Sequence, residues 1–160
     1  MESFFQYVQD IDPEANSEVQ RMAKEAALIF GVTELENGRA VATQIRTIVD
    51  NILDTGKYPV QYPDLVDVAV GLGCLYGNAL CTGYGWQWKD YGDEDQDHAY
   101  HGVVSPKGYF SHAPMEYMYT ILTGNNIGLD GRNDNTVLLL YNMLENIDEN
   151  PKDKMYVPLA

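Results

Sequence analysis

The side chains with the greatest capacity for chemistry are concentrated between positions 90 and 112 of this 160-residue chain. They are the carboxylates Asp90, Asp93, Glu94, Asp95 and Asp97 and the imidazoles His98, His101 and His112. Carboxylate oxygens are the ligands that calcium and magnesium prefer, and imidazole nitrogens suit zinc. The cluster therefore raises the hypothesis of a metal-dependent hydrolase that uses Asp93, Asp95, Asp97, His98, His101 or His112.

The spacing of these residues fits a known metal site only in part. Asp93, Asp95 and Asp97 stand at the first three ligand positions of a calcium-binding loop, but the later glycine and bidentate acid of that loop are absent. His98 and His101 are three apart, and positions three apart on a strand point to opposite faces. The pattern favours a solvated, acidic hairpin tip, and we expect neither a metal nor a cofactor.

Catalysis by a nucleophile or a bound nucleotide has no supporting motif. Cys74 lies in an apolar stretch that disfavours a thiolate, and Ser105 lacks the Gly-x-Ser-x-Gly elbow. Gly71, Gly73 and Gly77 miss the dinucleotide-binding spacing by one position. We therefore predict no catalytic residues, and the sequence leans against an enzyme.

The charge of the chain limits its partners. Twenty-four acidic and ten basic residues give a formal net charge of -14. Such a charge repels phosphate backbones and anionic lipids, so we expect no nucleic-acid or membrane partner, whereas it speeds association with a basic protein. The first residues lack the basic and apolar pattern of a secretory signal, and we expect a cytoplasmic location.

The element that must organise these residues is an apolar helix over residues 63–82. Pro63 suits its first turn, and its residues are apolar on nearly every side, which predicts that it is central and buried. Gly71, Gly73 and Gly77 would each destabilise a helix by about 1 kcal/mol relative to alanine, unless another element packed closely there.

Further helices are predicted from apolar periodicity and from their end signals. They cover residues 4–10, residues 17–30 after the capping box at Ser17 and before Gly31, residues 38–55 between Asn37 and Gly56, residues 114–122 before Gly124, and residues 134–147 after a polar loop at 125–132. Five to six helices around a buried central one are expected.

After Gly83 the apolar period changes from 3.6 to 2, which indicates strands. Trp86 and Trp88 begin the first strand, and residues 100–104 and 109–111 form the next two. The simplest arrangement is a three-stranded antiparallel meander, and the acidic residues then occupy the hairpin between its first two strands. The fold class is α+β, with residues 1–160 in a single domain. We expect a loose tail over 151–160, although Met155, Tyr156 and Val157 could dock.

The aromatic residues of the meander permit two interpretations. Trp86, Trp88 and Tyr91, with Tyr100, Tyr109 and Phe110, form either part of the core or a protein-binding face. Core packing is the favoured interpretation. If the face binds a protein, Trp86, Trp88 and Tyr91 join Asp90, Asp93, Glu94, Asp95 and Asp97 as its contact residues.

Several of these motifs together resemble a family of small, uncharacterised bacterial proteins. The residues that carry the resemblance are Leu72-Gly73-x-x-x-Gly77-x-x-Leu80, Gly85-Trp86-x-Trp88, Val103-Val104-Ser105-Pro106, Pro114 and the run 135–144. The resemblance spans roughly residues 60–147 and implies no catalytic residues. Some similar small acidic proteins are immunity partners of secreted or contact-delivered toxins.

The leading hypothesis is a non-enzymatic interaction module, of immunity type, that binds a basic protein through its acidic hairpin. The alternatives are the metal-dependent hydrolase described above and a structural or adaptor subunit. The oligomeric state and the identity of the partner do not follow from the sequence.

Overall fold

The architecture is taken from a computed structural model, which describes residues 2–94, 99–123, 134–151 and 153–159. Within these ranges the protein is α+β, with five helices and seven short strands. The helices are α1 (Pro13–Phe30), α2 (Gly38–Thr55), α3 (Leu65–Tyr84), α4 (Pro114–Leu122) and α5 (Asp134–Leu144). The strands are β1 (Glu2–Ser3), β2 (Tyr7–Asp10), β3 (Gln87–Gly92), β4 (Ala99–Val104), β5 (Phe110–His112), β6 (Lys154–Met155) and β7 (Val157–Pro158).

Helix α3 is the buried centre of the fold, as its composition predicted. A Cβ at Gly73 would lie 2.6 Å from the Cα of Met115 in α4, and one at Gly77 would lie 2.3 Å from the Trp88 ring. These glycines are therefore the points where α4 and β3 approach α3 most closely. By length and apolar composition α3 could also cross a membrane, but 61% of its most apolar window is buried inside the protein.

Helix α2 forms between the signals identified in the sequence. The Asn37 side chain accepts a hydrogen bond from the amide of Ala40, and Gly56 ends the helix with a φ of 66°. Helix α1 differs from the prediction because it begins at Pro13, four residues before the predicted capping box. Proline at the first helical position is already preorganised for a helix, so Ser17 lies inside α1.

The helix predicted over residues 4–10 is wrong, because Tyr7–Asp10 forms strand β2. This strand pairs antiparallel with β3, from Tyr7 opposite Gly92 to Asp10 opposite Lys89. The open edge of β3 offers hydrogen-bond partners that a short isolated helix would lack. Phe5, just before β2, is buried against Tyr91.

The antiparallel meander of β3, β4 and β5 is confirmed, and it is the middle of a larger sheet. The order of the five-stranded sheet is β2-β3-β4-β5-β7, in which β7 is parallel to β5. The tail that the structure describes, residues 153–159, is paired and not loose. Strand β6 pairs with β1, and the amide of Tyr156 donates to the carbonyl of Gly108 at 2.8 Å.

Alternate residues of the meander contribute to two separate clusters. Trp88 and Val103 pack in the main core with all five helices, whereas Tyr91 and Val104 pack with Phe5 in a second cluster. Helix α5 contributes Val137, Leu140, Tyr141 and Leu144 to the main core, as predicted, with Leu138 and Ile147 half-buried beside it. The predicted stop at Gly124 and the loop at 125–132 lie outside the described residues.

Candidate binding site

Asp90 belongs to strand β3 and does not lie at the hairpin tip. It stands opposite His101 in β4, and its Oδ1 contacts His101 Nδ1. Its Oδ2 accepts a hydrogen bond of 3.1 Å from the backbone amide of Asp12, just before α1. The carboxylate is half-buried and joins two strands to the start of a helix, which is a structural role.

Asp93 and Glu94 are the described residues at the acidic end of the hairpin. Asp93 is half-buried, Glu94 is exposed, and the amide of Glu94 donates to the side chain of Gln6. The other predicted residues of this tip, Asp95, Asp97 and His98, lie outside the described residues. Asp93 and Glu94 are therefore the part of the predicted acidic surface that the structure places.

The two described histidines are in different environments. His101 is exposed, whereas His112 is only 1% exposed and packs between the rings of Tyr76 and Tyr117. The Nδ1–H of His112 donates to the carbonyl of Leu159 at 3.0 Å, and burial lowers the pKa of His112 to about 4. Its Nε2 is buried without a hydrogen-bond partner. Within residues 2–94, 99–123, 134–151 and 153–159, no three His, Cys, Asp or Glu side chains are grouped as metal ligands.

The predicted aromatic contact residues lie largely inside the protein. Trp86 is 3% exposed and Tyr91 is 1% exposed, so neither ring belongs to an open binding face on the protein surface. Trp88 is half-buried, and its Nε1–H donates to the side chain of Asn78 at 2.9 Å. The rings of Trp86, Trp88 and Tyr91 pack in the two apolar clusters of the protein. The prediction that they form an exposed binding face is therefore wrong.

Catalysis by the cysteine thiols is disfavoured by their surroundings. Both Cys74 and Cys81 are free, and Cys74 is fully buried. Burial raises the pKa of each thiol to about 12, which disfavours the nucleophilic thiolate. Ser105 is also buried, and its hydroxyl donates to the carboxylate of Glu149. Neither thiol nor this hydroxyl is placed for nucleophilic attack.

The sequence did not reveal a cavity of about 360 Å³ beside the acidic hairpin. It is built where the segment before β2, the meander, the start of α4 and the end of the chain meet. Its lining comprises Phe4, Phe5, Tyr91, Asp93, Tyr100, Ser111, Ala113, Glu116, Tyr117, Thr120, Pro158 and Leu159. We refer to it as the aromatic cavity. Cavities of this size are typical of ligand sites.

Aromatic rings form one wall of this cavity. The centroid of Phe5 lies 4.7 Å from that of Tyr91 and 6.1 Å from that of Tyr100, and the two tyrosine centroids are 5.6 Å apart. Gly102 makes this packing possible, because a Cβ there would lie 2.1 Å from the Tyr91 hydroxyl oxygen. The wall is therefore a packed set of rings, of which Tyr91 and Tyr100 belong to strands β3 and β4.

The charged groups of the aromatic cavity are both acidic. Asp93 and Glu116 line it, and none of the other described lining residues is basic. Although Glu116 as a whole is exposed, the protein packed around its carboxyl raises the pKa of Glu116 by desolvation. Glu116 lies in the first turn of α4, where a negative charge is favoured by the helix N-terminus. A cation is the complementary ligand for such a lining.

Asp93 also connects the aromatic cavity to two neighbouring surface depressions. One, of about 490 Å³, includes Glu94 and His101, and the other, of about 450 Å³, includes Glu94 and Lys154. The Lys154 ammonium stands 5.8 Å from the centroid of Phe4, whose side chain is 47% exposed. Asp93 therefore lies on the rim of all three, and Glu94 lies on the rim of the two neighbouring depressions.

The cavity was not predicted because the sequence interpretation assigned four of its lining residues to the wrong structure. Phe4 and Phe5 were assigned to a helix, and Pro158 and Leu159 to a loose tail. The one available signal was the clustering of aromatic residues between positions 86 and 110, which covers only Tyr91 and Tyr100 of the lining. Comparisons of this chain with protein-family models, with curated proteins and with solved structures find no match.

Proposed function

We propose that the protein is a non-enzymatic interaction module that binds a basic protein through the acidic rim of the aromatic cavity. The observation that carries the proposal is the position of Asp93. This residue borders three depressions at once, and the most apolar of them, the aromatic cavity, contains a second carboxylate, Glu116, in its lining. Carboxylates that adjoin aromatic walls supply both charge complementarity and the anchoring pockets common in protein interfaces.

The overall charge supports the same conclusion. A formal net charge of -14 accelerates the approach of a basic partner over distances longer than any contact. The family resemblance adds a more specific role of immunity type. In this role the acidic protein binds a basic toxin in the bacterial cytoplasm and covers it. Desolvation raises the pKa of the buried Cys74 thiol and of the half-buried Cys81 thiol to about 12, which favours binding over nucleophilic catalysis as the function.

The test is a pull-down from host lysate at low salt, with association kinetics measured on every captured protein. One bait carries Asp93→Asn, Glu94→Gln, Asp95→Asn and Asp97→Asn. A control bait carries Glu14→Gln, Glu34→Gln, Glu36→Gln and Asp148→Asn, four exposed residues away from the hairpin. Both variants have the same net charge, so a difference between them reports position and not total charge.

We expect the wild type and the control bait to capture the same basic protein, and the hairpin variant to lose it. The association rate of the wild type should fall by at least about tenfold between low and physiological salt, because screening removes the steering. Equal recovery of the partner by the hairpin variant and the control would refute binding through this rim.

A further inference from the structure

We propose that the aromatic cavity receives one arginine side chain of the basic partner, with the guanidinium against the ring wall and its N–H groups directed to Asp93 and Glu116. The proposal rests on the function proposed above and names the group that the partner inserts. The cavity is then the anchoring pocket of the interface, and the acidic hairpin beside it supplies the steering.

The lining selects for a cation on two independent grounds. Its charged groups, Asp93 and Glu116, are both carboxylates, so an anion would be repelled and a neutral polar group would leave them without a counter-charge. Its lining also contains five aromatic rings, those of Phe4, Phe5, Tyr91, Tyr100 and Tyr117. The face of such a ring carries negative electrostatic potential, and a cation within about 6 Å of the ring centroid is attracted to it. The same contact already exists at the rim, where Lys154 stands over Phe4.

An arginine fits this lining better than a lysine does. The guanidinium is planar, less strongly hydrated than an ammonium and able to stack on a ring, so it loses less hydration in an aromatic cavity. Its five donors can serve two carboxylates and a hydroxyl together, and the lining offers Asp93, Glu116 and Thr120. Its apolar stem matches the aliphatic part of the lining at Pro158 and Leu159.

The partner side chain has a route into the cavity from the acidic rim. Phe4 is 47% exposed and Glu116 is exposed, so the edge of the cavity faces solvent. Tyr91 and Phe5 are buried and lie at the inner end of the ring wall. A side chain entering from this solvent-facing edge would therefore meet Glu116 before the inner rings.

The experiment titrates the ¹⁵N-labelled protein with three short peptides and follows backbone amide shifts by NMR. The peptides are acetyl-Gly-Arg-Gly-amide, its citrulline counterpart and its lysine counterpart. Citrulline keeps the shape of arginine but has no charge. We expect saturable shifts at Ser111, Thr120 and Leu159 with the arginine peptide, and binding weaker by at least about tenfold with citrulline.

Two variants and one matched control locate the binding. Glu116→Gln removes one charge but retains an oxygen acceptor, and it gives up only the small favourable interaction of that charge with the helix N-terminus. Tyr100→Leu removes a half-buried ring. Glu36→Gln makes the same charge change at an exposed turn outside the cavity. The first two should weaken arginine binding by about fivefold or more, and the control by less than about twofold. Thermal melts confirm that each variant is folded.

Three results would overturn the inference. They are equal affinity for the arginine and citrulline peptides, tighter binding of the lysine peptide, and no saturable shift up to about 50 mM, where even weak millimolar sites fill. The pull-down separates these failures from failure of the proposed function. If the hairpin variant loses a basic partner that the wild type and the control bait capture, while the peptides fail, the interaction module stands and the arginine pocket is wrong.

Discussion

The hydroxyl of Ser105 donates a hydrogen bond to the carboxylate of Glu149, 44 residues further along the chain. The same carboxylate accepts the backbone amides of Lys107, at 3.2 Å, and Tyr109, at 3.4 Å. Ser105 Oγ in turn accepts the amide of Phe110 at 3.0 Å. The Val-Val-Ser-Pro turn is thus organised by one distant acid, so its serine is a structural residue of the β4–β5 turn.

Replacing this acid should destabilise the protein. Glu149→Ala leaves the Ser105 hydroxyl and the amides of Lys107 and Tyr109 without their acceptor, at a cost of about 1–3 kcal/mol in the free energy of unfolding. Glu145→Ala is the control, because it removes an exposed ion pair with Arg39, which is worth about 1 kcal/mol or less. Urea melts measure both. Equal midpoints for the two variants would mean that Glu149 is not the organiser of the turn.

The close approach at Gly77 predicts a second stability effect. Even Gly77→Ala places a Cβ 2.3 Å from the Trp88 ring, and Gly77→Leu adds more atoms there, so the core must shift. We expect Gly77→Leu to lower the free energy of unfolding by about 1–3 kcal/mol or more. Val66→Leu enlarges an exposed position of the same helix, 56% accessible, and should change it by less than about 0.5 kcal/mol. An unchanged midpoint for Gly77→Leu would contradict the packing of β3 on α3.

The parts of the fold that the sequence predicted are those encoded by neighbouring residues. Asn37 and Gly56 mark the ends of α2 through contacts within a few residues. The glycines of α3 indicate that other elements pack closely against this helix. The parts that it missed depend on distant partners. Strand β2 forms because it pairs with the free edge of β3, and β7 forms because it pairs with the free edge of β5. The sequence of β2 or β7 alone does not indicate that such an edge is nearby.

The same distinction applies to the candidate site. The acidic residues were evident from composition, and Asp93 and Glu94 directly follow β3, in the hairpin connection where they were predicted. The structural role of Asp90 depends on its register opposite His101, and the position of Glu116 in the lining of the aromatic cavity depends on the placement of α4 beside the sheet. Register and packing join residues far apart in the chain, so composition alone could not assign these roles.

The pairing of the C-terminal segment can be tested directly by hydrogen exchange. The amides of Val157 and Leu159 donate to the carbonyls of Tyr109 and Ser111, both at 2.9 Å. We expect the Leu159 amide to exchange at least about tenfold more slowly than an unstructured amide. Val157→Pro removes one of these donors and should speed exchange at Leu159, whereas Val157→Ala keeps the donor and serves as the control. Unprotected exchange at Leu159 in the wild type would restore the loose-tail interpretation.

The buried histidine predicts a specific dependence of stability on pH. Burial lowers the pKa of His112 from 6.5 in the unfolded chain to about 4 in the folded one. Above pH 6.5 the imidazole is neutral in both the folded and the unfolded chain. Its titration then leaves the free energy of unfolding unchanged. As the pH falls from 6.5 towards 4, only the unfolded chain takes up this proton, so the free energy of unfolding falls, by about 3 kcal/mol over the whole interval.

His112→Asn isolates this contribution. The asparagine amide can still donate to the carbonyl of Leu159, but it does not titrate, while the carboxylates of the protein titrate equally in both proteins. We therefore expect the variant to be less stable than the wild type at pH 7, because it leaves part of the space between Tyr76 and Tyr117 unfilled. The stability of the wild type should then fall more steeply than that of the variant between pH 6.5 and 4.5. Urea melts at several pH values measure the two slopes, and parallel curves would show that His112 does not remain neutral in the folded protein.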